Sequence, residues 1–358
     1  MTRPHDTKVV DASLTGRLRS ELGMMVQRGI KGLEYLSTPP PAVGMTPRTL
    51  VHRRGTLCLY HYHPTADEIY RVPLLLVMAT TSKAAIFDLA KGQSLIEYLL
   101  ARGYDVYVMD WHAPSPEEAH LKLEHYVLDF IPDCIGRVQQ ATGVDDVTLI
   151  GYCMGGVLAT LYAALHPGGP LKNLVCFTTP VDWTKMPLAK QRHLNPERLI
   201  GATGLVSPQT IIRAIDLHRP AGRIAGKARL WDNLWNDDYV RGFRMMARFS
   251  DETLPLPGEY MRQIHRELGQ NNSLCEGGLR MGGKEVDLRN IEVSLLHIIA
   301  QYDSLVPPDC AQPLVARVGS RDKEELLLPG GHVSLVAGPA AVKRMWPRLD
   351  RWLGERSV

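Results

Sequence analysis

The chain has 358 residues, 45% of them hydrophobic and 22% charged, and a formal net charge of +3. That length can bury a full core and leave room for an insertion, the composition is ordinary for a folded soluble protein, and so small a charge argues against a nucleic-acid partner. No apolar run approaches the roughly 20 residues of a membrane span, Met1 to Asp6 carries no apolar signal core, and the cysteines (Cys58, Cys134, Cys153, Cys176, Cys275, Cys310) lack paired metal spacing, so a cytoplasmic chain with free thiols, no metal and no resident cofactor is expected.

In chain order, Leu14, Leu18, Leu22, Met25, Val26 and Ile30 form a weak helical pattern diluted by Gly16, Gly23, Gly29 and Gly32, ahead of a break at Pro39-Pro40-Pro41. Residues 1–45 are therefore expected as an N-terminal helical segment. Thr56 to Tyr62 alternates like an early strand, and Val72 to Ala79 is a continuous apolar run suited to a strand covered on both faces. A helix near Ser94 stops at Gly103, the strand Asp105 to Met109 follows, then a helix around Tyr126 to Gln140, the strand Val147 to Ile150, a helix from Met154 to about Leu165 and the strand Asn173 to Thr178. This alternation predicts a mostly parallel, doubly wound sheet, with ligands bound beyond the carboxyl ends of its strands. The rhythm stops after Pro180, and residues 181–290, with helical stretches and the aromatics Trp231, Trp235, Tyr239 and Phe243, are expected as an inserted cap. Strands resume at Val293 to Ala300 and Glu325 to Leu328, and a helix over Ala340 to Leu353 closes a core made of 46–180 and 291–358.

Between strand and helix the chain reads Gly151-Tyr152-Cys153-Met154-Gly155-Gly156, the glycine-framed nucleophile turn of an α/β-hydrolase with cysteine in the place serine usually holds. A thioester formed there keeps its acyl group activated for transfer to another acceptor. In this fold the partners follow in the order acid, then histidine, each in a loop after a strand. Asp303 and His332 occupy those loops, in Gln301-Tyr302-Asp303 and Pro329-Gly330-Gly331-His332. His332 is expected to take the thiol proton while Asp303 orients the imidazole, and the backbone amides of Met154 and Thr80 are expected to hold the oxyanion.

Taken together these segments resemble the polyhydroxyalkanoate synthases, specifically the short catalytic subunit of the two-component (class III) type. The resemblance extends over Val72 to Val77, Ser94-Leu95, Gly103 to Tyr107, Asp110-Trp111, Gly151 to Gly156, Thr179 to Asp182, Val286 to Ile291 and Asp303 to Pro308. It implies a 3-hydroxyacyl-coenzyme A substrate, a polyester product stored in cytoplasmic granules, a growing chain carried on Cys153 as a thioester, and activation by His332 with Asp303 supporting it or the substrate hydroxyl. The short form of the family usually works with a second synthase subunit; whether this chain needs one, whether it self-associates as a homo-oligomer, and which side-chain length it prefers are left open. The chain departs from the family at Thr80-Thr81-Ser82-Lys83, where asparagine and a basic residue are common, at Ser304, where histidine is usual, and after His332. Those changes bear on the oxyanion loop and pocket shape and leave the triad intact. The competing readings are a cysteine esterase, thioesterase or lactone hydrolase of the dienelactone-hydrolase kind, which would release free hydroxy acid, and a non-catalytic scaffold, which the intact Cys153, Asp303 and His332 disfavour.

Overall fold

The computed structural model describes residues 8–39, 41–187, 195–217 and 220–358. Two compact units emerge: the described parts of Met1–Pro41 and Arg219–Arg248 form one, and those of Ala42–His218 and Phe249–Val358 the other. Of the segment expected as a cap, 188–194 and 218–219 lie outside the described residues, as do residues 1–7 of the expected N-terminal helix.

The larger unit is built on eight strands: β1 Arg48–Arg54, β2 Leu57–Tyr62, β3 Leu74–Val77, β4 Val106–Trp111, β5 Val147–Tyr152, β6 Leu171–Phe177, β7 Ser294–Ala300 and β8 Lys323–Leu328. They lie in the order β1-β2-β4-β3-β5-β6-β7-β8. The β1–β2 and β2–β4 pairs are antiparallel, and every pair from β4 to β8 is parallel. Strands β3, β4 and β5 are buried along their whole length, as parallel strands flanked by helices must be. The edge strand β1 was not foreseen, because Arg-Thr-Leu-Val-His-Arg-Arg lies mostly in solvent and its burial does not alternate.

The helices between the strands follow local rules. Ser94 caps the helix Leu95–Ala101 by accepting from the Glu97 amide at 3.0 Å. The expected helix around Tyr126 to Gln140 is α-helical from Ile131 to Thr142 and π-helical over Tyr126–Phe130, where the Ile131 amide reaches five residues back to Tyr126. Pro132, which has no N–H to give, sits in the first turn after that bulge. The helix Met154–Leu165 is buried on nearly all sides, in keeping with its uniformly apolar sequence. The closing helix is split into Pro339–Arg344 and Trp346–Gly354, with Pro347 in the first turn of the second, where a missing N–H costs nothing.

In the smaller unit, Lys8–Ser37 is one continuous helix despite its glycines. At Gly32 a Cβ would make ordinary contacts of 3.8 to 3.9 Å with Trp231 and Leu234. No helix among the described residues is long and apolar enough to cross a membrane.

Candidate active site

Strand β5 delivers Cys153 to the start of the helix Met154–Leu165 through a turn in which Cys153 takes φ 53° and ψ −118°. A side chain rarely adopts that conformation, which costs about 1–3 kcal/mol and is retained where the surroundings enforce it. The surroundings here are glycines in close contact with backbone. A Cβ on Gly151 would stand 2.6 Å from the Gly155 carbonyl oxygen, and one on Gly155 would strike the Val77 carbonyl and lie 2.8 Å from the Met78 carbonyl carbon. A Cβ on Gly156 would collide with the Thr179 side chain. The elbow is thus pressed directly onto the end of β3, and this contact sets the loop that begins at Met78 beside the helix N-terminus.

That loop carries Thr80, and β4 holds it in place. The Asp110 carboxylate accepts from the Ala84 amide at 2.8 Å and lies 3.5 Å from the Lys83 ammonium. Lys83 also donates to the Trp111 carbonyl, and the Trp111 indole donates to the Met78 carbonyl at 2.9 Å. Among the described residues, neither the Met154 nor the Thr80 backbone amide has a hydrogen-bond acceptor.

Asp303 follows β7 and is clamped by its own loop, one carboxylate oxygen accepting from the Leu305 and Val306 amides at 2.9 Å each. The other oxygen lies 2.6 Å from His332 Nδ1. The loops after β7 and β8 are themselves tied together, because the Tyr302 amide donates to the Gly330 carbonyl at 2.9 Å. On its other side His332 lies close enough to Cys153 for the sulfur to act on its titration. Burial opposes a charged imidazole, but the proximity of Cys153 and the bond to Asp303 outweigh it and push the His332 pKa up to about 10. The Tyr152 ring packs 5.1 Å from the His332 ring and limits its swing. The structure therefore brings together Cys153, His332 and Asp303, with Met154 and the Thr80 loop beside them.

Other residues at the site had no signal in the sequence. Tyr260, from the helix Gly258–Gln263, is fully buried and accepts a hydrogen bond from the Thr80 hydroxyl at 3.1 Å. Burial drives its phenol upward, the Thr80 bond works the other way, and proximity to the Cys153 charge adds to the rise. Cys153 also packs with Trp183 and Leu305 against a buried cluster of Met186, Ile299, Val306, Cys310 and Ala311, which gives the sulfur an apolar flank. Asn272 fixes that flank: its side-chain oxygen accepts from the Trp183 amide at 2.8 Å. These side chains come from segments far apart in the chain, so no spacing could announce them.

Comparison with known proteins agrees with this architecture. A family model described as alpha/beta hydrolase fold matches residues 89–339, and one described as poly-beta-hydroxybutyrate polymerase (PhaC) N-terminus matches 41–99. The chain is 34% identical over 334 residues to the poly(3-hydroxyalkanoate) polymerase subunit PhaC of Allochromatium vinosum, covering 87% of this chain and 90% of that protein. It is 32% identical over 322 residues to the protein of the same name from Haloferax mediterranei, covering 88% of this chain and 65% of that one. Among solved structures, a soluble variant of monoglyceride lipase from Saccharomyces cerevisiae in complex with a substrate analog superposes with a TM-score of 0.54 at 15% identity, covering 90% of this chain and 100% of the lipase. The Paleococcus ferrophilus monoacylglycerol lipase gives 0.51 at 18% identity, covering 81% and 96%. At such identities the two lipases speak for the fold alone. The Allochromatium relative, matched over nearly its whole length, together with the PhaC-specific N-terminal match, shows that this chain belongs to the poly(3-hydroxyalkanoate) polymerase family of acyltransferases, on the α/β-hydrolase fold.

Proposed function

We propose that the chain polymerises 3-hydroxyacyl groups from coenzyme A thioesters into polyester through a thioester on Cys153. The observation that carries this reading is one imidazole, His332, held by Asp303 at 2.6 Å and near enough to Cys153 to feel its charge, at an elbow whose nucleophile is a thiol. The Cys153 thiolate attacks the acyl carbonyl carbon, the carbonyl electrons move to oxygen, and collapse of the tetrahedral species breaks the bond to the coenzyme A sulfur, which takes the proton held by His332. In the next half-reaction His332 accepts the proton of a bound 3-hydroxyacyl group's hydroxyl as that oxygen attacks the Cys153 thioester. The lengthened chain leaves as an oxygen ester and the sulfur is freed to take it back from its coenzyme A thioester. Asp303 keeps the imidazole in register, and the Met154 and Thr80 amides stabilise the oxyanion.

The apolar flank of Trp183, Leu305, Met186, Ile299 and Val306 supports an acyl chain rather than a charged group beside the sulfur. The coenzyme A thioester is substrate, and no resident cofactor enters the scheme. A second synthase subunit, self-association and placement at the polyester granule belong to the same reading. Purified protein given 3-hydroxybutyryl-coenzyme A, with thiol release and polymer followed together, tests it: chain growth with coenzyme A release is expected, whereas free 3-hydroxybutyrate without polymer would assign a hydrolase instead.

A further inference from the structure

Tyr260 has no part in the scheme above, yet its hydroxyl is bonded to the side chain of Thr80, whose amide the scheme uses. Thr80 Oγ1 donates to the phenol oxygen at 3.1 Å, so the phenol's own proton remains for another acceptor. The side chain has no exposed surface and is wedged against Tyr126, ring centroids 4.9 Å apart, so the hydroxyl cannot turn out to solvent. Its anchor is the loop after β3, which the Gly155 contact with Val77 and Met78 holds against the helix that starts at Met154. The loop's next residue is fixed as well, since the Thr81 carbonyl accepts from the Leu254 amide at 2.8 Å, on the segment that leads into Tyr260. A buried hydroxyl kept in its neutral form donates strongly in a site of low dielectric, and oxyanions are stabilised by donors of this kind, set in place before the reaction.

We propose that the Tyr260 hydroxyl is a third donor to the oxyanion formed on the acyl group at Cys153, beside the amides of Met154 and Thr80. In that step the thiolate forms its bond to the acyl carbon and the carbonyl oxygen gains the electron pair. Tyr260 shares its proton with that oxygen without surrendering it, and the bond to the leaving sulfur then breaks. A thiol at this loop and a tyrosine 107 positions further along thus form one oxyanion site, with Thr80 serving it twice, through its amide and as the anchor of the phenol.

The inference rests on the acyl-transfer reading, and one experiment separates the two. Wild type and Tyr260→Phe are compared in single-turnover acylation by 3-hydroxybutyryl-coenzyme A and in alkylation by iodoacetamide, which uses the same thiolate but forms no oxyanion. Loss of one oxyanion donor costs about 10²–10³ in rate where it has been measured, so Tyr260→Phe is expected to acylate at least tenfold more slowly while alkylating at the wild-type rate. Acylation at the wild-type rate, or equal losses in both reactions, would overturn the role of Tyr260. Failure of the wild type itself to acylate at Cys153 would instead remove the reading beneath it. Should Tyr260→Phe not fold, Thr80→Val removes the anchor and keeps the amide; slowed acylation with normal alkylation supports the proposal, and wild-type acylation refutes it.

Discussion

The first turn of the nucleophile helix and the end of β3 touch through Gly155 and Val77, so closely that a Cβ on Gly155 would lie 2.7 Å from the Val77 carbonyl carbon. No flexible side chain separates the two, and relief requires backbone to move. Since one side of this contact carries Cys153 and the other leads to Thr80, it spaces the Cys153 turn from the Thr80 loop.

Gly155→Ala should therefore disturb both stability and catalysis. Forcing a methyl into packed backbone costs typically about 1–3 kcal/mol, and turnover should fall beyond what the lost folded fraction explains. Gly136 is the control. It lies within the helix Ile131–Thr142 with nothing within 4 Å of where its Cβ would stand, so Gly136→Ala should stabilise the protein by roughly 0.5–1 kcal/mol and leave turnover unchanged. Urea midpoints and initial rates on both variants check the contrast.

Asp110 makes a second test of the same loop, from the β4 side. Its carboxylate is nearly fully buried and holds the Ala84 amide and the Lys83 ammonium. Asp110→Ala strands a buried donor and a partly buried cation, at a cost of about 1–3 kcal/mol for the amide alone. On the proposed role of the Thr80 amide as an oxyanion donor, which acts in the transition state, kcat should drop by a larger factor than KM rises. Steady-state kinetics read this directly, and an unchanged kcat would detach Asp110 from the oxyanion loop.

The pH behaviour of His332 follows from its surroundings. Its folded pKa, pushed up to about 10, exceeds the ordinary value near 6.5, so the folded state binds the proton more tightly than the unfolded chain. The stability this contributes is complete below about pH 6.5 and is lost as pH rises through about 10. Removing the cause should lower the titration: in Cys153→Ala, and to a lesser degree in Asp303→Asn, the His332 ring resonance should titrate at lower pH than in wild type. A ring that titrates identically in wild type and Cys153→Ala would deny the thiolate–imidazolium pairing.

How much of this the chain announced depends on which residues share a segment. The elbow was legible because strand, turn and helix are contiguous and the turn demands glycine at Gly151 and Gly155, where backbone leaves no space for a Cβ, and at Gly156, where the Thr179 side chain does the same. Asp303 and His332 were legible through topology, as each follows a parallel strand whose apolar run stands out. Tyr260 was not, because its contact with Thr80 spans 180 residues, and Asp110, though within a segment singled out in the sequence, gave no sign there of its bond to the Ala84 amide, 26 residues away. The strand β1 was hidden by a run of exposed residues, Thr49 to Val51 and Arg53-Arg54, and the π-bulge by an apolar pattern that runs through it unbroken. Tertiary contacts group the described residues of Arg219–Arg248 with those of Met1–Pro41. Periodicity cannot express such grouping.

The central claim is a covalent bond between an acyl group and Cys153. Acid quenching of the enzyme during turnover of 3-hydroxybutyryl-coenzyme A, followed by digestion and mass spectrometry, should find one or more 3-hydroxybutyryl units on the peptide that contains Cys153, and none on that peptide in Cys153→Ala. Turnover at the wild-type rate by Cys153→Ala, or an acyl group carried on a different residue, would contradict the account.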